Sequence, residues 1–313
     1  MASQTNRTKL GIACGMGAGA LWGLVFLAPE LVHGFTPLQL AIGRYGTYGL
    51  VSAVLIMPRW RRLCAHVTAR DWWALVWLSL FGNTLYYYLV STAVQKSGIA
   101  MTSLIIGFLP VVVTIIGSRD HGAVPLRALA PSLALCAAGT ACIGWQAMAL
   151  PDARSGGGGM VGLLFAVGAL VAWTAYAVGN SRCLARIHQI SGHDWNLLTG
   201  MVTGGQALVL IPVSIALEPI RHSGAQWLRF GEVSLGLALL ASIMGAALWN
   251  RASRLLPLTM VGQMILFETL FALLYAFLWE QRWPKPMEVM AFALVAASVL
   301  SCVAVHHRRA AVA

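Results

Sequence analysis

Leu258–Trp279 reads LTMVGQMILFETLFALLYAFLW, 22 residues with a single charge, Glu268, near the middle. As a helix it rises roughly 33 Å, enough to cross a bilayer. In such a span Glu268 lies roughly 15 Å from either surface. An acid at that depth costs about 2.5–3.5 kcal/mol on insertion scales, so a spanning helix carries one only with some compensation. The function of the chain turns on what surrounds Glu268 and what passes it.

The other residues place this stretch in a polytopic membrane protein. The chain has 313 residues, 58% hydrophobic and 10% charged, against about 25% charged in a soluble protein. Its mean hydropathy is +0.75. The net charge of +11 is explained by basic residues that anchor cytoplasmic loops, so no nucleic-acid partner is read into it. Ten apolar stretches can be drawn, at roughly 10–29, 36–57, 72–94, 98–117, 126–149, 160–180, 195–217, 233–250, 258–279 and 287–306. With the N-terminus inside, 14 of the 21 Lys and Arg fall in cytoplasmic segments, 6 in external ones, and Arg44 lies within a span. This bias predicts that both termini are cytoplasmic. None of the six cysteines falls in an external loop, so no structural disulfide is expected. The eight histidines lie in loops or at helix ends, with no His-x-x-x-His or Glu-x-x-His pair inside a span. No metal or other cofactor is therefore expected. The polar start MASQTNRTK is too short for a cleaved signal, and the first span is read as retained.

Polar and aromatic residues inside the stretches supply the candidate site. The first carries Gly11, Gly15, Gly19 and Gly23 on one helical face, a groove for close helix approach, and ends near Trp22. The second holds Arg44, followed by Tyr45 and Tyr48. Its guanidinium either snorkels outward or lines a polar cavity as a substrate contact or partner for an acid. In the third, Trp72 and Trp73 form an interfacial belt, with Asn83 and Tyr86-Tyr87-Tyr88 further in. The fourth contains Thr102 and is interrupted at Gly107 and Pro110. The sixth adds Trp173 and Tyr176, and the ninth Gln263 and Glu268. The candidate lining is thus Trp22, Arg44, Tyr48, Asn83, Tyr87, Thr102, Trp173, Tyr176, Gln263 and Glu268. A carboxylic acid at that depth can take up and release a proton, so Glu268 is the candidate coupling group or substrate-amine contact, with a structural acid paired to Arg44 as the alternative.

The second half of the chain echoes the first. An offset of 159 lays Ala93–Pro110 on Ala252–Thr269 without gaps, matching Met101 to Met260, Ile106 to Ile265 and Phe108 to Phe267. Gly46 and Pro58 match Gly200 and Pro212, and Pro125-Leu126 matches Pro286-Met287. Five spans per half is an odd number, so the copies cross the membrane in opposite senses, as in secondary transporters. The expected architecture is all-α and integral to the membrane, with ten transmembrane helices as two inverted five-helix repeats. The repeats are 1–151 and 160–313, joined by an external Gly-rich linker at 152–159. Glu268 falls opposite Leu109, so the halves diverge where a site would be asymmetric.

These residues resemble the drug/metabolite transporter superfamily, in its EamA-type branch of ten-helix bacterial carriers. The marks are Trp22-Gly23, Arg44-Tyr45, the entries to the fourth and ninth stretches, and the setting of Glu268. Within that branch the chain looks most like a group of uncharacterised inner-membrane proteins. The resemblance implies an inner-membrane carrier working by alternating access and exporting amino acids or related metabolites. The chain departs from the family in having Thr269 after the acid, where a proline is frequent, and Glu30 where a lysine is frequent.

The expected function is therefore a secondary transporter of small polar metabolites. Its partners are the substrate, the lipid bilayer and protons as a candidate coupling ion, with the chain acting as monomer or homodimer. A uniporter or channel for small metabolites is the alternative. A membrane-embedded enzyme would need a nucleophile with a base, or paired acids, at membrane depth, and the spans offer one acid. No Gly-x-x-x-x-Gly-Lys-Ser/Thr loop supports ATP-driven transport.

Overall fold

The computed structural model describes residues 2–312 apart from 28–30, 33, 121–122, 149–158, 218–221, 280 and 282. Among the described residues the regular elements are all helical. The α-helices of seven or more residues are, in chain order, α1 (Ala2–Gly23), α2 (Pro37–Ile56), α3 (Ala69–Ser79), α4 (Leu85–Ile106), α5 (Leu109–Gly117), α6 (Leu126–Met148), α7 (Gly159–Arg186), α8 (Gly192–Leu217), α9 (Gly224–Leu237), α10 (Ala246–Leu255), α11 (Leu258–Met264), α12 (Leu266–Trp279) and α13 (Pro286–Val312). Among the described residues, six helical runs are long and apolar enough to cross a membrane: Leu38–Cys64, Met160–Arg186, Gly192–Leu217, Gly224–Leu255, Leu258–Trp279 and Pro286–His306. Most of the expected linker at 152–159 lies outside the described residues, as does Glu30.

Local sequence fixes several helix starts. Thr36, Thr68 and Ser223 each accept from the backbone three residues on, and Gln39, Asp71 and Gln226 bond back to the capping residue. A cap of this kind contributes about 0.5–2 kcal/mol by satisfying amides that a helix start leaves unbonded.

The interruptions matter more for the site. The sequence places a connection at 95–97, but the chain is helical there and α4 runs on to Ile106. The break falls instead at Gly107-Phe108, where Pro110 lacks an N–H and crowds the preceding turn. Thr140 donates to the Gly107 carbonyl at 3.2 Å, satisfying an acceptor at the break. The ninth stretch is also broken: α11 ends at Met264, Ile265 forms a turn, and α12 starts at Leu266. The breaks at Gly107-Phe108 and at Ile265 fall within two residues of the offset of the internal match.

Two π-helical segments follow the same offset. Leu80–Thr84 joins α3 to α4, and Ala238–Gly245 joins α9 to α10. Adding 159 to 80–84 gives 239–243, inside the second segment. π-Segments are rare and concentrate at functional sites, because the extra residue frees carbonyls and redirects side chains.

Close helix packing depends on glycine at two places. α2 crosses α8 at Gly49 and Gly204, where a Cβ on Gly49 would stand 2.5 Å from the Gly204 Cα. The stripe on α1 packs against α10, α11 and α12. At Gly19 an added Cβ would lie 2.7 Å from the Glu268 amide nitrogen, so that glycine brings the α1 backbone against the first turn of α12. α6 and α13 are stitched by Ser132 and Ser298, each hydroxyl donating to the other's carbonyl, at 2.8 and 2.7 Å.

Ion pairs and ring contacts tie several connections together. Arg59 pairs with Asp194, Arg186 with Asp71 and Arg182 with Asp120, each joining segments assigned to the cytoplasm. At the opposite end Phe35 stacks on His222 and Phe230, with ring centroids 4.0 and 4.3 Å apart, and Arg229 donates to the Leu31 carbonyl at 2.8 Å. Two buried apolar clusters fill the interior, one around Trp249, Met260 and Met264, the other around Leu75, Trp195 and Leu198; Tyr176 packs against both.

Candidate functional site

The break before α12 positions Glu268. Its backbone N–H donates to the Ile265 carbonyl at 3.1 Å, a tight turn that puts the carboxyl in the first turn of a half-helix. The positive end of the α12 dipole therefore lies at an acid in the middle of the 22-residue stretch. The side chain is half-buried rather than sealed in.

Arg44 faces this acid from α2. Arg44 lies within electrostatic range of Glu268, and Glu268 in turn lies within range of the Tyr45 and Tyr86 hydroxyls. The ion pairs among the described residues do not include Arg44 with Glu268. Arg44 is held in another way. Its Nε donates to the Ser242 hydroxyl at 3.1 Å, and its guanidinium carbon lies 5.1 Å from the Tyr45 ring centroid. Ser242 belongs to the second π-segment. The carbonyls of Ser242 and Ile243 accept from Asn196 Nδ2 at 3.2 and 3.0 Å, and that of Ala241 accepts from Trp22 Nε1 at 3.0 Å. The segment thus gathers Arg44, Asn196 and Trp22 onto three successive residues.

An aromatic wall completes the site. Trp22, Trp173 and Trp249 meet pairwise at centroid distances of 6.4, 5.2 and 5.8 Å. Tyr176 and Tyr86 extend the wall from Trp173 at 5.8 and 6.4 Å, and Tyr87 meets Tyr45 edge-on at 6.2 Å. These centroid spacings are those of favourable edge and offset ring contacts.

The structure gathers Trp22, Arg44, Tyr87, Trp173, Tyr176 and Glu268 around this region. Tyr48 lies beside them, but its hydroxyl is 2.6 Å from the Asn196 carbonyl and 2.7 Å from Asn196 Oδ1, so its polar end is engaged in packing α2 on α8. Asn83 sits in the first π-segment and donates to Thr203 on α8 at 3.2 Å. Thr102 is buried on α4. Gln263 is fully buried in a separate seam, its Oε1 3.0 Å from the Ser298 hydroxyl and its Nε2 3.4 Å from that of Thr114. Four contributors were not singled out from sequence as site residues: Ser242, Asn196, Tyr86 and Trp249. The offset of 159 that pairs Asn83 with Ser242 carries a signal for the first; the others are defined by contacts across the fold.

The arrangement is that of a helical membrane transporter, with a polar site at a broken helix deep in an apolar bundle. The chain belongs to the EamA-like transporter family, whose model matches residues 9–145 and again 160–303. It is 31% identical to inner membrane protein YtfF of Escherichia coli (strain K12) over 315 residues, covering 94% of this chain and 94% of that one. A solved crystal structure matches with a TM-score of 0.75 at 18% identity, covering 95% of this chain and 98% of the other, which establishes the fold likeness.

Proposed function

We propose that the protein is a secondary carrier of the inner membrane that exports amino acids or closely related small zwitterions by alternating access. The observation that carries this reading is the separation of Arg44 and Glu268. Opposite charges at membrane depth lie within electrostatic reach of one another and are not paired. An amino acid presents a carboxylate and an ammonium on one carbon, and such a molecule can bridge the two groups. The free Nη donors of Arg44 suit the carboxylate, Glu268 suits the ammonium, and the wall of Trp22, Trp173 and Tyr86 suits the side chain.

Protons compete with the substrate for Glu268 on this reading. When the carboxyl takes up a proton it no longer holds an ammonium, so proton and substrate occupy the site in turn and proton entry from one side drives substrate release on that side. The architecture we infer is ten spans in two inverted repeats, 1–151 and 160–313, with both termini cytoplasmic. The double match to the family model, the π-segments that overlap at the offset of 159 and the helix breaks within two residues of it support it.

The test is counterflow in proteoliposomes. Preloaded unlabelled amino acid should accelerate uptake of the labelled species, and an imposed pH gradient should drive it. Flux that saturates without trans-stimulation would favour the channel reading instead.

A further inference from the structure

On the face assigned to the cytoplasm, a cavity of about 420 Å³ lies between the connections at 66–71 and 186–189. His66, Arg70, Arg186 and His188 line it, together with Thr68 and Asp71. The acid among them is already satisfied. One Asp71 oxygen accepts from Arg186 at 2.6 Å, and the other accepts from the Thr68 amide and hydroxyl at 3.0 and 2.6 Å. Arg186 uses one N–H in that bond, and a guanidinium has five. Arg70 is exposed and enters none of the ion pairs among the described residues. His66 Nδ1 lies 2.7 Å from the Arg62 carbonyl; a carbonyl can only accept, so that nitrogen carries a hydrogen. The cavity therefore holds one internally matched acid against two guanidinium groups, with donors to spare.

Its depth in the membrane follows from the aromatics beside it. Trp60 and Trp72 meet at 6.1 Å just before and after the 66–71 connection, and Trp73 is 72% exposed. Tryptophans collect at head-group level, where lipid phosphates lie. Basic pockets at that level on the cytoplasmic side bind phosphate-bearing head groups.

We propose that this cavity binds the phosphate of an anionic inner-leaflet lipid through Arg70 and the unused donors of Arg186. The choice of leaflet rests on the proposed orientation; the phosphate chemistry does not. Because Arg186 also holds Asp71, the bound lipid would fasten the 66–71 connection of the first half to the 186–189 connection of the second.

Native mass spectrometry of the purified full chain in detergent tests this without any transport measurement, so it stands or falls separately from the carrier reading. The probes are phosphatidylglycerol, phosphatidylcholine and inorganic phosphate. Phosphatidylglycerol should be retained in preference to phosphatidylcholine, and Arg70→Gln should weaken that retention about fivefold. The same variant should leave phosphatidylcholine adducts and the thermal melt unchanged, and millimolar phosphate should displace the anionic lipid. Equal retention of the two lipids, or unchanged retention in Arg70→Gln, overturns the proposal. Phosphate binding that needs Arg70 while phosphatidylglycerol is not retained overturns the lipid as its source.

Discussion

Arg44 donates to Ser242 at 3.1 Å and forms no ion pair with Glu268, although its charge reaches that carboxyl. The guanidinium is positioned by the second π-segment and by the Tyr45 ring, and the acid by the break at Ile265. Two supports from different elements keep apart charges that would otherwise neutralise each other. A gap of this kind is what a zwitterionic substrate needs.

Glu268→Gln should remove proton-driven flux while leaving abundance and thermal melting near those of the parent, because the amide keeps the shape and cannot exchange a proton. Flux in proteoliposomes across a series of imposed pH gradients checks it. A pH response like the parent's would remove Glu268 from the coupling role.

Arg44→Ala should weaken apparent substrate affinity by roughly ten- to hundredfold, the worth of a charge-assisted hydrogen bond in a desolvated site. Arg44→Lys should recover only part of this, since an ammonium cannot bond a carboxylate and Ser242 in the same planar fashion. Loss of abundance in step with loss of flux would mark the arginine as structural.

Gln263→Ala should act on stability instead. The side chain is fully buried beside Ser298 and Thr114, and losing these contacts and leaving a cavity costs about 1–3 kcal/mol. The melting temperature should fall while the surviving protein keeps its substrate affinity. A selective change in affinity would return Gln263 to the site.

Gly49→Leu should destabilise by about 1–3 kcal/mol or more, because its side chain would enter the Gly204 backbone across the α2–α8 crossing. Gly46→Leu is the matched control, since a Cβ there has nothing within 4 Å. Comparable melts for the two variants would contradict the close crossing.

Single cysteines placed across 152–159 in a cysteine-free background should react with a membrane-impermeant maleimide added from outside. Labelling only from the inside would invert the proposed orientation.

Composition was sufficient for the helical membrane class, and a charge inside an apolar stretch was enough to make Glu268 and Arg44 candidates. These follow from terms that act residue by residue: transfer of apolar side chains into lipid, and the cost of placing a charge there. The interruption at Gly107 and Pro110 was equally readable, because proline acts on its own helix. Which polar groups meet was not readable. Gln263 and Glu268 lie five positions apart in one stretch, yet the turn at Ile265 leaves the first in a buried serine–threonine seam and the second in the site. Asn196 and Trp249 carry no local mark, and the run Tyr86-Tyr87-Tyr88 does not say which ring meets Trp173, since each joins the site through an element distant in sequence. A side chain's depth is set by where it stands in its own helix, but its partner depends on how several helices rotate and bend against one another. That rotation is fixed by backbone contacts such as Gly49 on Gly204 and Gly19 on the first turn of α12, which only the tertiary structure decides.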